Sequence, residues 1–209
     1  NINEPYFLIN DGTGHFTRDT SRLPAEFLTD VTLPPLSVKL VDLDQDGFVD
    51  MGTGNWFGHP NVIYWGNAEG VFSSDSMTAL PNPYFYADSH DVPSFEVQDF
   101  NGDGKPDLLL GFYGSNLEDG TQILINQGGR SFADETLKRL GNSAYTGPDQ
   151  WPAVYRFFDF NGDGTIDILP SYPSNSLNLA WLNDGTGHYA PITRNMYNKP
   201  AAAFRFSSP

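Results

Sequence analysis

Three segments of the chain carry oxygen donors at a spacing that suits a hard cation. They are DLDQDGFVD from Asp42, DFNGDGKPD from Asp99 and DFNGDGTID from Asp159. In each, alternate residues of a tight loop point at one centre, and the Gly at the sixth position permits a sharp turn. Calcium accepts about six to eight such oxygens at roughly 2.3–2.6 Å. Side chains at positions 1, 3, 5 and 9 and the carbonyl of position 7 are the expected donors. The first set is then Asp42, Asp44, Asp46, Phe48 through its carbonyl, and Asp50. The second is Asp99, Asn101, Asp103, Lys105 through its carbonyl, and Asp107. The third is Asp159, Asn161, Asp163, Thr165 through its carbonyl, and Asp167.

An EF-hand is excluded, because that loop closes with a bidentate Glu at its twelfth position between two helices. Here an Asp closes at the ninth position and the flanks read as strands. Asp, Asn and Gly also make turns without any metal. Three loops in register, each crowding three or four carboxylates, would repel themselves strongly without a cation. Three calcium ions, structural in role, are therefore expected.

The loops repeat at steps of 57 and 60 residues. A second landmark keeps the same phase: LINDGTGHF from Leu8, IYWGNAEGVF from Ile63, ILINQGGRSF from Ile123 and AWLNDGTGHY from Ala180. Each unit reads as four short strands. Strand a precedes the acidic loop (37–41, 94–98, 153–157), strand b follows it (107–111, 166–169), and strands c and d flank an Asn-Asp-Gly or Asn-Gln-Gly hairpin signal. Four antiparallel strands repeated radially make a β-propeller blade. The fold class is thus all-β, a propeller built from blades of about 57–60 residues. One helix is expected over 134–140, with Asp134 as its N-cap and Gly141 ending it.

The chain reads as one propeller domain or propeller fragment over 1–209. It comprises a partial blade at 1–17, repeats at about 36–92, 93–151 and 152–199, and a partial strand at 200–209. Three full repeats with incomplete ends point to part of a larger propeller, for example one of seven blades, with further blades of the same chain as neighbours. In the alternative, the two ends share one blade. That blade would lack strand b.

Composition narrows the partners. Lys and Arg total 11 against 26 Asp and Glu, a net charge of −15, which offers no footprint for a phosphate backbone or an anionic leaflet. Nucleic acid and membrane insertion are excluded on that ground and because no apolar run approaches the roughly 20 residues of a membrane span. Nothing at the N-terminus reads as a signal leader. The absence of Cys excludes thiolate metal sites and disulfides and fits an exported bacterial protein. Sixteen Phe, 10 Tyr and 4 Trp give ample apolar area for a core, so the high net charge does not imply disorder.

A strand–DxDxDG–strand unit followed by a Leu-Asn-Asp-Gly-Thr-Gly hairpin resembles the FG-GAP/VCBS repeat. This is the calcium-loop blade of integrin α-subunit propellers, of a fungal lectin and of many secreted bacterial proteins. The resemblance covers essentially the whole chain. It implies a propeller, usually of seven blades, with calcium at the a–b loops on one face. It brings no activity with it, because the fold hosts many functions.

If the a–b loops and c–d turns form one face, the b–c and d–a connections form the other, and these are rich in aromatics. Trp56, His59, Tyr86, His90, Tyr113, Asn116 and Tyr172 are the candidate ligand residues. Aromatic faces stack on sugar C–H groups while amides and carboxylates take hydroxyls. A protein interface uses the same residue types. Trp65, Trp151 and Trp181 read equally as plugs between blades. His15 and His188 occupy the same Gly-Thr-Gly-His turn and read as structural.

The expected function is a calcium-stabilised binding or adhesion module, lectin-like, recognising a glycan or a protein. Extracellular sites commonly need about 10⁻⁴–10⁻³ M calcium, so the expected place is extracellular, cell-surface or periplasmic. The chain is not expected to be an enzyme. The alternative is the propeller part of a calcium-containing polysaccharide lyase, with Tyr84, Tyr86 and His90 as the acid–base group. Such an enzyme needs cations to neutralise a uronate carboxylate, and no basic cluster lies in these loops. A purely structural segment of a large surface protein is the third possibility.

Overall fold

A computed structural model describes residues 5–29, 35–56, 59–83, 91–113, 119–147, 154–171 and 178–193. The chain opens with a hairpin of β1 (Phe7–Asn10) and β2 (Phe16–Asp19), then a single helical turn, α1 (Glu26–Thr29). Three antiparallel meanders follow. The first is β3 (Ser37–Val41), β4 (Asp50–Gly54), β5 (Val62–Tyr64) and β6 (Met77–Ala79). The second is β7 (Asp91–Gln98), β8 (Asp107–Tyr113), β9 (Asp119–Gly128) and β10 (Ser131–Asp134). After α2 (Thr136–Leu140) and a 3₁₀ turn, β11 (Tyr145–Gly147) adds to the free end of β9. The third meander is β12 (Val154–Phe158), β13 (Asp167–Ser171), β14 (Asn178–Asn183) and β15 (Tyr189–Thr193).

The first strands of the sheets meet one another: β3 packs on β7, and β7 on β12. First strands inward and last strands outward are the arrangement of propeller blades, which among the described residues form an arc rather than a closed ring. The register is the same in each blade. Val41 pairs with Asp50, Gln98 with Asp107 and Phe158 with Asp167, so every blade spans its acidic loop identically. Lys39, Glu96 and Arg156 consequently share one position on the three inner strands, and Lys39 forms an ion pair with Glu96 across two blades.

The core lies between blades. One layer joins Leu43, Ile63 and Trp65 of the first blade to Phe95, Leu108 and Leu110 of the second. The next joins Leu109, Ile123 and Ile125 to Tyr155, Ile168 and Trp181. Strand β8 serves both layers, which is why it reads as an unbroken apolar run rather than an alternating one. The position shared by Val38, Phe95 and Tyr155 shows what a neighbouring blade contributes. Phe95 lies so close over Gly52 of β4 that a Cβ there would meet its ring at 2.5 Å, and Tyr155 reaches Thr121 of β9 through its hydroxyl. Both are nearly fully buried, whereas Val38 is 47% exposed. Among the described residues no inner strand pair stands beside β1 to cover it.

Local structure departs from the sequence reading in three places. In the first full blade the hairpin does not return at Val71 and Phe72. Strand β6 forms only at Met77, because Phe72 is diverted to dock on Phe7 of the opening hairpin while its N–H bonds the Arg22 carbonyl. The Asn-Asp-Gly turns are longer than two residues. Asn10 and Asn183 each accept two backbone N–H groups across the turn, and Gly12, Gly14, Gly185 and Gly187 take positive φ there. Asp134 ends β10 and accepts the Thr136 N–H from outside the helix, where Glu135 is the residue at the cap and makes no side-chain cap bond.

Candidate metal centre

The three acidic loops lie at one end of the strands, between β3 and β4, β7 and β8, and β12 and β13. Their geometry is built from backbone N–H groups converging on carboxylates. In the second loop, Asp99 accepts from Gly102, Asp103 and Gly104, at 2.7, 3.2 and 2.8 Å. Asp159 repeats this with Gly162, Asp163 and Gly164, at 2.6, 3.1 and 2.9 Å. Asp42 accepts from Asp46 and Gly47. The side chain at position 3 accepts the N–H of position 5 in all three loops, and position 5 accepts that of position 7. The loops are thus wound around their own side-chain oxygens.

The closing Asp has a role that its spacing does not disclose. Asp107 is fully buried, and its two oxygens accept Phe100 N–H at 2.9 Å from the loop and Asn126 N–H at 2.8 Å from β9. Asp50 latches Leu43 and Gly66 in the same way, and Asp167 latches Phe160 and Asn183. These three residues fasten each loop to the third strand of its blade or, for Gly66, to the turn just after it. Burial pushes the Asp107 carboxyl up to about 6, with the charges of Asp103 and Asp99 adding to the rise. Asp50 and Asp167 are raised for the same first reason. Asp103 and Asp163 are exposed and held low, by the Lys105 N–H and the Thr165 hydroxyl respectively.

In the first loop one carboxylate oxygen each from Asp42, Asp44 and Asp50 lies within 4.8 Å of the others. Among the described residues no second group of three acidic or His side chains closes to this degree. Position 3 in the other two loops is Asn, and the position-5 carboxylate there faces Lys105 Nζ at 3.0 Å or Asn161 Nδ2 at 2.7 Å. The donor set is all oxygen, negatively charged and wound tight, which suits calcium better than a metal preferring nitrogen or sulfur.

Two residues that spacing alone did not single out act on these loops from neighbouring elements. Arg130, in the β9–β10 turn, reaches across to the first loop. Buried Arg139 of α2 bonds the Phe100 and Gly187 carbonyls, tying the second loop to the third blade's hairpin. Arg130 follows a Gly-Gly pair in one of the four hairpins, and a basic residue there was the available signal.

At the opposite end of the strands, Trp56 follows β4 and is 48% exposed, while half-buried Tyr113 ends β8 in register with Asp91. His59 is held near Trp56, its N–H bonding the Trp56 carbonyl. The Asn55 carbonyl accepts the Val92 N–H, so this end of the first blade adjoins the start of β7. Tyr86, His90, Asn116, Tyr172, Tyr84 and Trp151 lie outside the described residues. Trp65 and Trp181 are buried between blades, as plugs. His15 and His188 each bond the Thr two residues earlier in the turn, at 2.9 Å.

Comparison with known proteins agrees with this architecture. The chain is 27% identical over 179 residues to cartilage acidic protein 1 of Xenopus tropicalis, which covers 82% of this chain and 26% of that protein. It superposes with a TM-score of 0.54 on a solved structure of an Agrocybe aegerita lectin that specifically recognises non-reducing terminal N-acetylglucosamine. That match has 22% sequence identity and covers 90% of this chain and 45% of the lectin. The chain therefore spans about a quarter of the one relative and under half of the other. A model of the FG-GAP-like repeat matches residues 42–110 and 99–170, the segments that carry all three acidic loops, and the chain belongs to the FG-GAP-like repeat family.

Proposed function

We propose that this chain is a calcium-stabilised, non-catalytic binding module that works outside the cell and recognises a glycan or a protein partner. It acts as one propeller unit over 1–209, within a larger propeller. The observation that carries the calcium is the convergence of Asp42, Asp44 and Asp50 in a loop wound on its own carboxylates and repeated in two further blades. Each loop takes one ion, held by side chains at positions 1, 3, 5 and 9 and the carbonyl of position 7. The ion neutralises the crowded carboxylates and fixes the inner strand pair of its blade. Ten of the 26 acidic residues lie in these loops, so three ions offset much of the −15 charge. The FG-GAP-like repeats and the roughly 10⁻⁴–10⁻³ M calcium that extracellular sites commonly need support the extracellular placement.

The ligand face is the end opposite the ions, around Trp56 and Tyr113, with Tyr86, His59, His90, Asn116 and Tyr172 as further contributors. The exposed indole of Trp56 supports it. The lectin's recognition of terminal N-acetylglucosamine makes glycans ending in that sugar the first to try. A glycan array probed in millimolar calcium and again in EDTA tests this. Calcium-dependent hits that Trp56→Ala weakens at least about tenfold, with an unchanged melting temperature, are expected for a stacking indole. A blank array from folded, calcium-loaded protein overturns the glycan partner and leaves a protein one.

A further inference from the structure

The three loops differ in how their charge is balanced. The first has four carboxylates where the others have three, because Asp44 stands where the others carry Asn101 and Asn161. That extra carboxylate is the one Arg130 holds: its Nε lies 2.7 Å from Asp44 Oδ2, and its terminal nitrogen 3.4 Å from Asp46 Oδ2. The guanidinium comes from the next blade, over 80 residues away in the chain. It stacks over Trp65 with its carbon 4.9 Å from the ring centroid. It is presented by three successive left-handed residues, Gly128, Gly129 and Arg130, at φ of 77, 59 and 65°. An Arg in that conformation carries backbone strain that the glycines avoid, so its position in the turn is maintained at a cost. In the second loop the basic partner is local, Lys105 Nζ at 3.0 Å from Asp103; in the third, no basic side chain among the described residues touches Asp159 or Asp163, which backbone N–H groups, Thr165 and Asn161 hold.

We propose that Arg130 is a built-in counter-cation of the first loop, which competes with calcium there and holds the affinity of this site below what its four carboxylates would otherwise give. This rests on the loops binding calcium as proposed above. With the ion absent, Arg130 bridges the first two blades by pairing Asp44 and Asp46. With the ion present, the guanidinium and a doubly charged cation share the same carboxylates and repel each other. Filling of the first site therefore loosens the Arg130 bridge between the blades.

Calorimetric titration of the whole chain with calcium chloride, in the wild type and in Arg130→Gln, tests it. By Coulomb's law in water, removing one positive charge from beside carboxylates that would hold a doubly charged ion tightens the first site roughly tenfold. In Asp44→Asn, which gives the first loop the donor pattern of the other two, the same Arg130→Gln change has under about threefold effect. Melting in EDTA supplies a second readout: Arg130→Gln lowers the calcium-free melting temperature and closes that gap in saturating calcium. Unchanged or weakened binding in Arg130→Gln overturns the counter-cation. No binding heat in the wild type overturns the calcium sites themselves, and the counter-cation with them.

Discussion

Asp107→Ala is expected to cost at least about 3 kcal/mol of stability in EDTA at about pH 5, where the buried carboxyl is largely protonated, before any ion is considered. The substitution leaves the Phe100 and Asn126 N–H groups buried without an acceptor, at roughly 1–3 kcal/mol each. It also opens a void at a fully buried position. In calcium the loss is larger, because a site occupied at a hundredfold excess over its dissociation constant contributes about 2.7 kcal/mol. Asp103→Ala separates the two contributions. Its carboxylate is exposed and, among the described residues, bonds groups of its own loop, so its removal lowers the melting temperature in calcium and little in EDTA. Paired denaturant titrations of both variants, with and without calcium, read this out. An Asp107→Ala chain as stable as the wild type in EDTA contradicts the latch.

The calcium-free protein is expected to lose stability as pH rises from about 5 to about 7.5, the reverse of ordinary acid unfolding. Asp107 titrates at about 6 in the folded chain against an ordinary aspartate value near 3.9. Between those values the folded state holds a proton that the unfolded state has released. Stability from this group is therefore full below about pH 4 and gone above about pH 6, a total of roughly 3 kcal/mol. About half of that falls between pH 5 and 7.5. Asp50 and Asp167 are shifted in the same direction by the same burial and add to the slope. The exposed carboxylates held low, such as Asp103 and Asp163, lose their contribution only at more acid pH and do not cancel it. Calcium reverses the trend, since it binds the ionised loops and competes with the proton. Urea melts in EDTA at the two pH values measure the slope, and a flat or rising profile contradicts the burial-driven shift.

The blades were legible in the sequence because two independent landmarks repeat in phase. Strand β3 spans the expected 37–41, and strand b begins at Asp107 and Asp167, the last residues of their loops. Repetition also brought out the loop pattern, since one Asp-rich turn means little and three in register set the same oxygen donors at the same places. What the sequence hid were contacts made between units. The double role of the closing Asp depends on an N–H supplied by Gly66, Asn126 or Asn183, about 16–19 residues further on in the next hairpin. Arg130 and Asp44 meet only once two blades are side by side. The diverted hairpin after Trp65 follows from Phe72 finding Phe7, a partner outside its own blade. At the end opposite the acidic loops, Trp56 is exposed and Tyr113 ends a strand on the same side.

The most direct test of the central claim is the stoichiometry of calcium binding to the intact chain, by calorimetric titration at neutral pH with a melt of the same samples. Three ions per chain and a melting temperature raised by calcium and lowered by EDTA are the predicted result. No binding, with identical melts in calcium and in EDTA, would contradict it.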